Sequence, residues 1–209
     1  MSLVLYANSS YTSPYALSAF VALTEKGLPF TLETLDLDAG ANLQPAYRDL
    51  SLTTRIPALL HDDFVLTESS AICEYLDEAF PAPGHPALLP TGLRQRARAR
   101  QLQAWLRSDF LPLREERDTR TVFYQPATEP LGAAARAGAD KLIHAAEVLL
   151  DGNGEHLFGA WCVADTDLAM MLQRLIKNGD AVPARLRDYA AAQWQRDSVQ
   201  QWLRLLPIY

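Results

Sequence analysis

The 209-residue sequence predicts an α/β domain followed by an all-helical domain, on three observations. Up to about residue 80, short apolar or β-branched runs alternate with segments of helical i, i+3, i+4 spacing. Pro81, Pro83, Pro86 and Pro90, together with Gly84, then crowd one stretch that reads as a linker. Beyond it no convincing strand recurs, and long helical patterns fill the chain. The domains so drawn are residues 1–80, a linker at 81–92 and a helical domain at 93–209.

Leu3-Val4-Leu5-Tyr6 is a buried strand by its apolar run, and Ala7 to Ser13 a loop of small polar residues. Pro14 opens a helix carried by Leu17, Phe20, Val21 and Leu23, and Lys26-Gly27 ends it with a cation and a glycine. Phe30 to Leu37 alternates in the manner of a strand. Asp38 to Leu52 is a polar turn holding a short helix at most. Ile56 to Leu60 and Phe64 to Thr67 are the arms of a hairpin turning at His61-Asp62-Asp63, with Pro57 at a position where a missing N–H is tolerated. A helix follows, with Ser69 as its expected cap. In the second half the pattern predicts one long helix over Leu93–Arg117, with Pro112 as a kink, and a second over Leu131–Leu150. A turn is expected at 151–154, a buried helix over Asp165–Lys177, and two more near Pro183–Ala192 and Ser198–Leu206.

Composition narrows the function. Hydrophobic residues make up 49% and charged residues 21%, the balance of a globular protein. A net charge of −6 argues against a general nucleic-acid surface, which would be basic. Arg94, Arg96, Arg98 and Arg100 fall on two stripes of one helix and read as a solvated face. The two cysteines, Cys73 and Cys162, are far apart and suit neither a disulfide scaffold nor a zinc site. His61, His85, His144 and His156 form no ligand pattern, so no metal is expected. With no leader pattern and no apolar run of membrane-spanning length, a cytoplasmic location without membrane contact is expected.

The chemistry-bearing stretch is Arg55-Ile56-Pro57 followed, after the hairpin, by Thr67-Glu68-Ser69. A helix N-terminus with a hydroxyl either is simply capped or forms a site for a carboxylate. The whole string resembles the glutathione-binding segment of the cytosolic glutathione transferases. There an apolar residue and a cis-proline precede a hairpin, and Glu or Gln then Ser open the next helix. The order of elements over residues 1–80 and the helices beyond match that family over nearly the full length, which implies that the first domain is thioredoxin-like. The run from Arg96 to Asp109 looks most like a bacterial branch, the YfcF-type transferases.

The resemblance implies roles. Ser69 and its backbone N–H would take the α-carboxylate of the γ-glutamyl group of glutathione, and Glu68 its ammonium. Ile56, ahead of a cis bond to Pro57, would pair with the cysteinyl backbone. Arg55 would face the glycyl carboxylate, and Asn42 would reach the same end unless it is a plain turn residue. Thr12-Ser13-Pro14-Tyr15 occupies the loop where related proteins carry Cys-Pro-Tyr, and Ser13 would donate a hydrogen bond to the glutathione thiolate, with Ser10 and Thr12 as rivals. Tyr11, Trp105, Phe110 and Phe123 are candidates to line a pocket for a small apolar electrophile. The activity implied is conjugation of glutathione to such an electrophile or reduction of a hydroperoxide, by a homodimer. The rivals are a zeta-like maleyl isomerase and a transferase-fold interaction protein without chemistry. Two departures stand out. Ser51-Leu52-Thr53-Thr54 replaces the usual Asn-Pro-x-Gly, and Cys162-Val163-Ala164-Asp165 replaces Ser/Thr-x-x-Asp, so that Asp165 is expected to cap a helix starting later.

Overall fold

The structure is a computed structural model that describes residues 2–152 and 154–207. The expected turn at 151–154 includes Asn153, which lies outside the described residues. The chain divides into two compact units. One runs to Leu88 and takes in the C-terminal segment from Asp197; the other spans Leu89–Arg196.

The first unit is built on four strands, β1 (Leu3–Asn8), β2 (Thr31–Leu35), β3 (Ala58–His61) and β4 (Phe64–Thr67), in the order β2-β1-β3-β4. β1 is parallel to β2 and antiparallel to β3, and β3 is antiparallel to β4, so β1 and β4 run the same way. Helices α1 (Pro14–Glu25) and α3 (Ser69–Ala79) follow β1 and β4 and pack on each other, while the one-turn α2 (Pro45–Arg48) lies in the connection before β3. Leu5, Leu17, Val21, Leu59, Ile72 and Leu76 form the core between sheet and helices, each almost wholly removed from water. Burial of such side chains supplies the main driving force, at about 1.5–3 kcal/mol each.

Two contacts set the direction of the helix pair. Ser18 on α1 lies 3.9 Å from Cys73 Sγ on α3, and Lys26 Nζ, just past the end of α1, lies 2.9 Å from Asp77 Oδ1. Residue numbers rise together on both helices, so the helices are parallel and their N-termini share one end of the unit. The Lys26 ammonium also donates to the Phe80 carbonyl at 2.8 Å, and Asp77 Oδ1 accepts from the Leu88 N–H at 2.7 Å. The sequence places Lys26 as a cation at a helix end; its side chain is in fact fully buried, at 0% exposure against 7% for Asp77. Gly27 does end the helix in the left-handed conformation, φ 66°, where no Cβ penalty applies.

The second unit holds α4 (Leu93–Ser108), α5 (Leu111–Glu116), α6 (Thr119–Phe123), α7 (Ala133–Leu150), α8 (Val163–Ile176) and α9 (Ala184–Trp194). α8 is buried along almost its whole length and is packed by α4, α6, α7 and α9. The expected continuous helix over Leu93–Arg117 is broken. Asp109 is extended and Phe110 left-handed at φ 66°, and Pro112 falls in the first turn of α5, where its missing N–H costs nothing. α6 is a helix that the periodicity did not predict. The expectation for Asp165 is also corrected. α8 starts at Val163 with Cys162 as its cap, and the two residues form a capping box in which Asp165 accepts from Cys162 N at 2.9 Å. Asp165 further accepts from Leu157 N at 2.9 Å and from the Tyr189 hydroxyl at 2.9 Å, so a carboxylate rather than a hydroxyl anchors this helix start. Burial, with Asp165 beside it, pushes the Cys162 thiol up, which keeps it protonated and unreactive.

The final helix, α10 (Asp197–Leu203), falls with the first compact unit. Among the described residues no helix is long and apolar enough to cross a membrane, and no group of three or more potential ligands could hold a metal ion.

Lys26→Met removes the cation of a buried ion pair and takes the Lys26 ammonium away from the Asp77 carboxylate. Urea denaturation is expected to show a loss of about 3–5 kcal/mol. A loss below about 1 kcal/mol would show that the pair does not hold these elements.

Candidate active site

The register across the sheet assembles the site. Tyr6 pairs with Ala58, and Ala58 pairs with Thr67, so the end of β1, the start of β3 and the end of β4 form one row. At about 4.8 Å per strand the row spans roughly 10 Å. The Asn8–Ser13 loop, the Ile56–Pro57 bond and the Glu68–Ser69 turn lie just beyond it. Ligands of open α/β sheets bind outside this carboxyl edge. Both α1 and α3 begin here, and their parallel packing adds two positive dipole ends at the same place.

Ser13 is the N-cap of α1, and its Oγ accepts from Ala16 N at 3.2 Å. Capping uses an oxygen lone pair and leaves the hydroxyl hydrogen to donate elsewhere. The neighbouring hydroxyls are spent differently. Asn8 Nδ2 donates to Ser10 Oγ at 2.7 Å and to Thr12 Oγ1 at 3.0 Å, and the two hydroxyls are 3.1 Å apart. Asn8 Oδ1 accepts from Ser13 N at 3.2 Å. Asn8 therefore ties down the whole loop, and this role was missed at the sequence level. Asn8 is itself buried, at 6% exposure.

The bond between Ile56 and Pro57 is cis, as the resemblance implied. Among the described residues the backbone N–H and C=O of Ile56 have no partner, so this residue is open to pairing with an extended chain. The approach to it is held by side chains. Tyr47 Oη donates to the Arg55 carbonyl at 2.7 Å, and Asn42 Nδ2 donates to the Thr54 carbonyl at 2.9 Å. Burial pushes the Tyr47 phenol up to about 12, so it remains a donor throughout the neutral range. Thr54 stands where the family pattern has glycine, and it adopts the left-handed φ of 55° that glycine would supply. Asn42 thus has a structural partner in this loop, in keeping with its turn reading, and retains one amide N–H and its carbonyl oxygen. Arg55 is exposed, and its guanidinium makes no hydrogen bond or ion pair among the described residues.

Glu68 has φ 71° and ψ 111°, outside the regions that a side chain favours. Such strain costs about 1–3 kcal/mol and concentrates at sites of function. Its carboxylate is exposed and has no ion pair within the described residues. Ser69, expected as the cap of α3, is instead its first residue and is 2% exposed, while Glu68 occupies the cap position without a capping bond. The first N–H groups of α3 are therefore not satisfied by a capping side chain.

The candidate pocket residues divide between the units. Tyr11 belongs to the first. In the second, Trp105 and Phe110 meet edge to face with ring centres 4.6 Å apart, with Lys141 over both rings. Phe110 is 2% exposed and serves the helical core. Phe123 stays apart from this pair and stacks on Trp194. Trp105 also borders a cavity of about 630 Å³ with Leu102, His144, Val148 and Leu157.

Residues 92–207 match the pattern of the glutathione S-transferase C-terminal domain and residues 12–79 that of the N-terminal domain. The chain belongs to the glutathione S-transferase family. Among solved structures, a glutathione transferase homologue from Burkholderia gl BGR1 with bound glutathione is 47% identical, with a TM-score of 0.82 over 98% of this chain and 97% of that one. The theta class glutathione S-transferase of Xanthomonas axonopodis pv. citri, at 24% identity and TM-score 0.78 over 97% of both chains, shares the fold. Curated relatives match over shorter stretches. The maleylacetoacetate isomerase of Pseudomonas aeruginosa is 39% identical over 52% of this chain and 50% of its own length. Glutathione S-transferase 1 of Dianthus caryophyllus is 38% identical over 44% and 41%. The chain thus matches at most about half the length of these curated relatives.

Thr54→Gly relieves a left-handed β-branched residue and is expected to stabilise the protein. Each kcal/mol gained raises Tm by about 2–4 °C for a chain of this size. A lower Tm would mean that the threonine side chain contributes more than its backbone costs.

Proposed function

We propose that the protein binds glutathione at the carboxyl edge of its sheet and uses it, as a thiolate, to attack a small apolar electrophile or a hydroperoxide. The observation that carries this reading is the convergence there of two helix N-termini, a donor hydroxyl at Ser13 and the open backbone of Ile56. In this reading the α-carboxylate of the γ-glutamyl group meets the N-terminus of α3 with Ser69, and Glu68 meets the ammonium. Ile56 pairs with the cysteinyl backbone as an added strand would. Arg55 receives the glycyl carboxylate, with the remaining Asn42 amide N–H beside it.

Ser13 then acts on the sulfur. An ordinary thiol ionises near 8.5, and the thiolate is the nucleophile. A hydroxyl donor and a helix dipole favour the charged form, so ionisation moves towards neutral pH. In conjugation the sulfur lone pair forms the new S–C bond, and the leaving group departs or the adduct takes a proton. With a hydroperoxide the sulfur attacks the O–O bond, giving a sulfenic acid and an alcohol. A second glutathione then yields the disulfide and water. Neither course requires a metal.

The 39% identity to a maleylacetoacetate isomerase favours one second reading, in which the same thiolate adds reversibly to a maleyl double bond. A panel of aryl halides, hydroperoxides and a maleyl compound separates these substrates. The resemblance also supports a homodimer in a reducing cytoplasm. Leu52, at 95% exposure, and Leu93, at 82%, are apolar side chains that such pairing could cover. A sedimentation mass of about two chains is expected, and one chain at micromolar concentration would refute it.

Ser69→Ala is expected to weaken glutathione binding by about 1–3 kcal/mol in calorimetry. Ser13→Ala should leave affinity nearly unchanged and raise the pH of half-maximal conjugation by roughly one to two units, because the lost donor had favoured the ionised sulfur. An unchanged affinity in the first variant, or an unchanged pH profile in the second, would remove that residue from its role.

A further inference from the structure

The C-terminal helix reaches the loop that carries Ser13. α10 runs antiparallel along α1: Ser198 Oγ donates to Glu25 Oε1 at 2.5 Å near one end, and Trp202 packs its ring edge-on against Phe20 at 5.3 Å towards the other. Trp202 is fully buried, and its indole N–H donates to the Tyr11 carbonyl at 3.0 Å across 191 residues of sequence. Its ring also meets the Tyr11 ring edge to face at 5.5 Å.

Tyr11 is no ordinary acceptor. Its φ is 52°, a conformation that a bulky aromatic residue avoids unless its surroundings impose it. Its N–H donates to the Asn8 carbonyl at 3.0 Å, closing a tight turn, and two residues later the Ser13 N–H returns to Asn8 Oδ1. The left-handed turn at Tyr11 thus sets the path by which the chain enters α1. If Tyr11 relaxed to negative φ, its carbonyl would swing away from Trp202, and Thr12 and Ser13 would leave the Asn8 side chain. Within the described structure, Trp202 is what receives the Tyr11 carbonyl.

We infer that Trp202 is a positioning residue for Ser13: its indole N–H holds Tyr11 in the left-handed turn that aims the Ser13 hydroxyl, which makes the last helix part of the catalytic apparatus. The inference rests on the reading of Ser13 given above. Trp202 carries no titratable group, and the charged group on α1 that α10 meets, Glu25, lies at the far end of that helix. A change in thiol ionisation on altering Trp202 therefore reports geometry at Ser13.

Trp202→Phe keeps an aromatic ring and removes the donor. Replacement of Trp202 by benzothienylalanine, with sulfur in place of the N–H, keeps the full ring shape and guards against a folding defect. The ultraviolet absorbance of bound glutathione thiolate, titrated against pH, gives the ionisation midpoint, and calorimetry gives the affinity. Both variants are expected to raise the midpoint by about half a unit or more, with affinity within about twofold of the parent. Added to Ser13→Ala, either change should produce no further shift, because it acts through Ser13. A midpoint unmoved in both variants, while Ser13→Ala moves it, overturns this inference and leaves the role of Ser13 standing. A midpoint unmoved by Ser13→Ala itself removes both.

Discussion

Lys26 carries its ammonium into the interior of the first unit, where Asp77 and the Phe80 carbonyl receive it. Burying two charges costs several kcal/mol per ion, and only close geometry with further hydrogen bonds repays it. Those bonds are present: Asp77 also takes the Leu88 N–H, and the His85 ring lies 2.8 Å from the Lys26 carbonyl. The result is a clamp on the trailing ends of α1 and α3 and on the chain that leaves them. A hydrophobic contact tolerates sliding, but an ion pair with defined hydrogen bonds does not. With their rear ends fixed, two parallel helices present their N-termini at a defined separation, and those N-termini carry Ser13 and Ser69.

The same division of labour runs through the rest of the unit. Strand register sets which residues share the carboxyl edge, and neighbouring side chains set the angles of the candidate site residues. Asn8 holds the Ser13 loop, Tyr47 and Asn42 hold the approach to Ile56, and the strained turn at Glu68 delivers the first N–H groups of α3 without a capping side chain. Three residues of positive φ, Tyr11, Thr54 and Glu68, lie in the three segments that meet there. Strained backbone of this kind clusters at functional sites, and here it gathers at one edge backed by the sheet and helices.

Much of this was legible in the sequence because it depends on local rules. The strand–helix order, the hairpin, Pro14 and Gly27 at the ends of α1, and the motif from Arg55 to Ser69 all follow from short-range patterns. What escaped depends on long-range partners. Lys26 looks like any helix-terminal cation until Asp77 is placed beside it. Asn8 looks like a loop residue, and nothing around Trp202 announces a bond to Tyr11. Pro112 alone does not say whether the chain bends or restarts, so the helix break at Phe110 is not legible in the pattern. A thiol alone is a weak cap; here the Asp165 carboxylate completes the capping box from the other side.

The central claim is that glutathione lies along the carboxyl edge with its sulfur at Ser13 and its γ-glutamyl carboxylate at the start of α3. A crystal structure of the protein with glutathione tests it most directly. The account predicts the sulfur within hydrogen-bonding reach of Ser13 Oγ, the carboxylate on Ser69 and the first N–H groups of α3, and the cysteinyl backbone paired with Ile56. Glutathione found elsewhere, or bound at α3 with its sulfur turned away from the Ser13 loop, would contradict it.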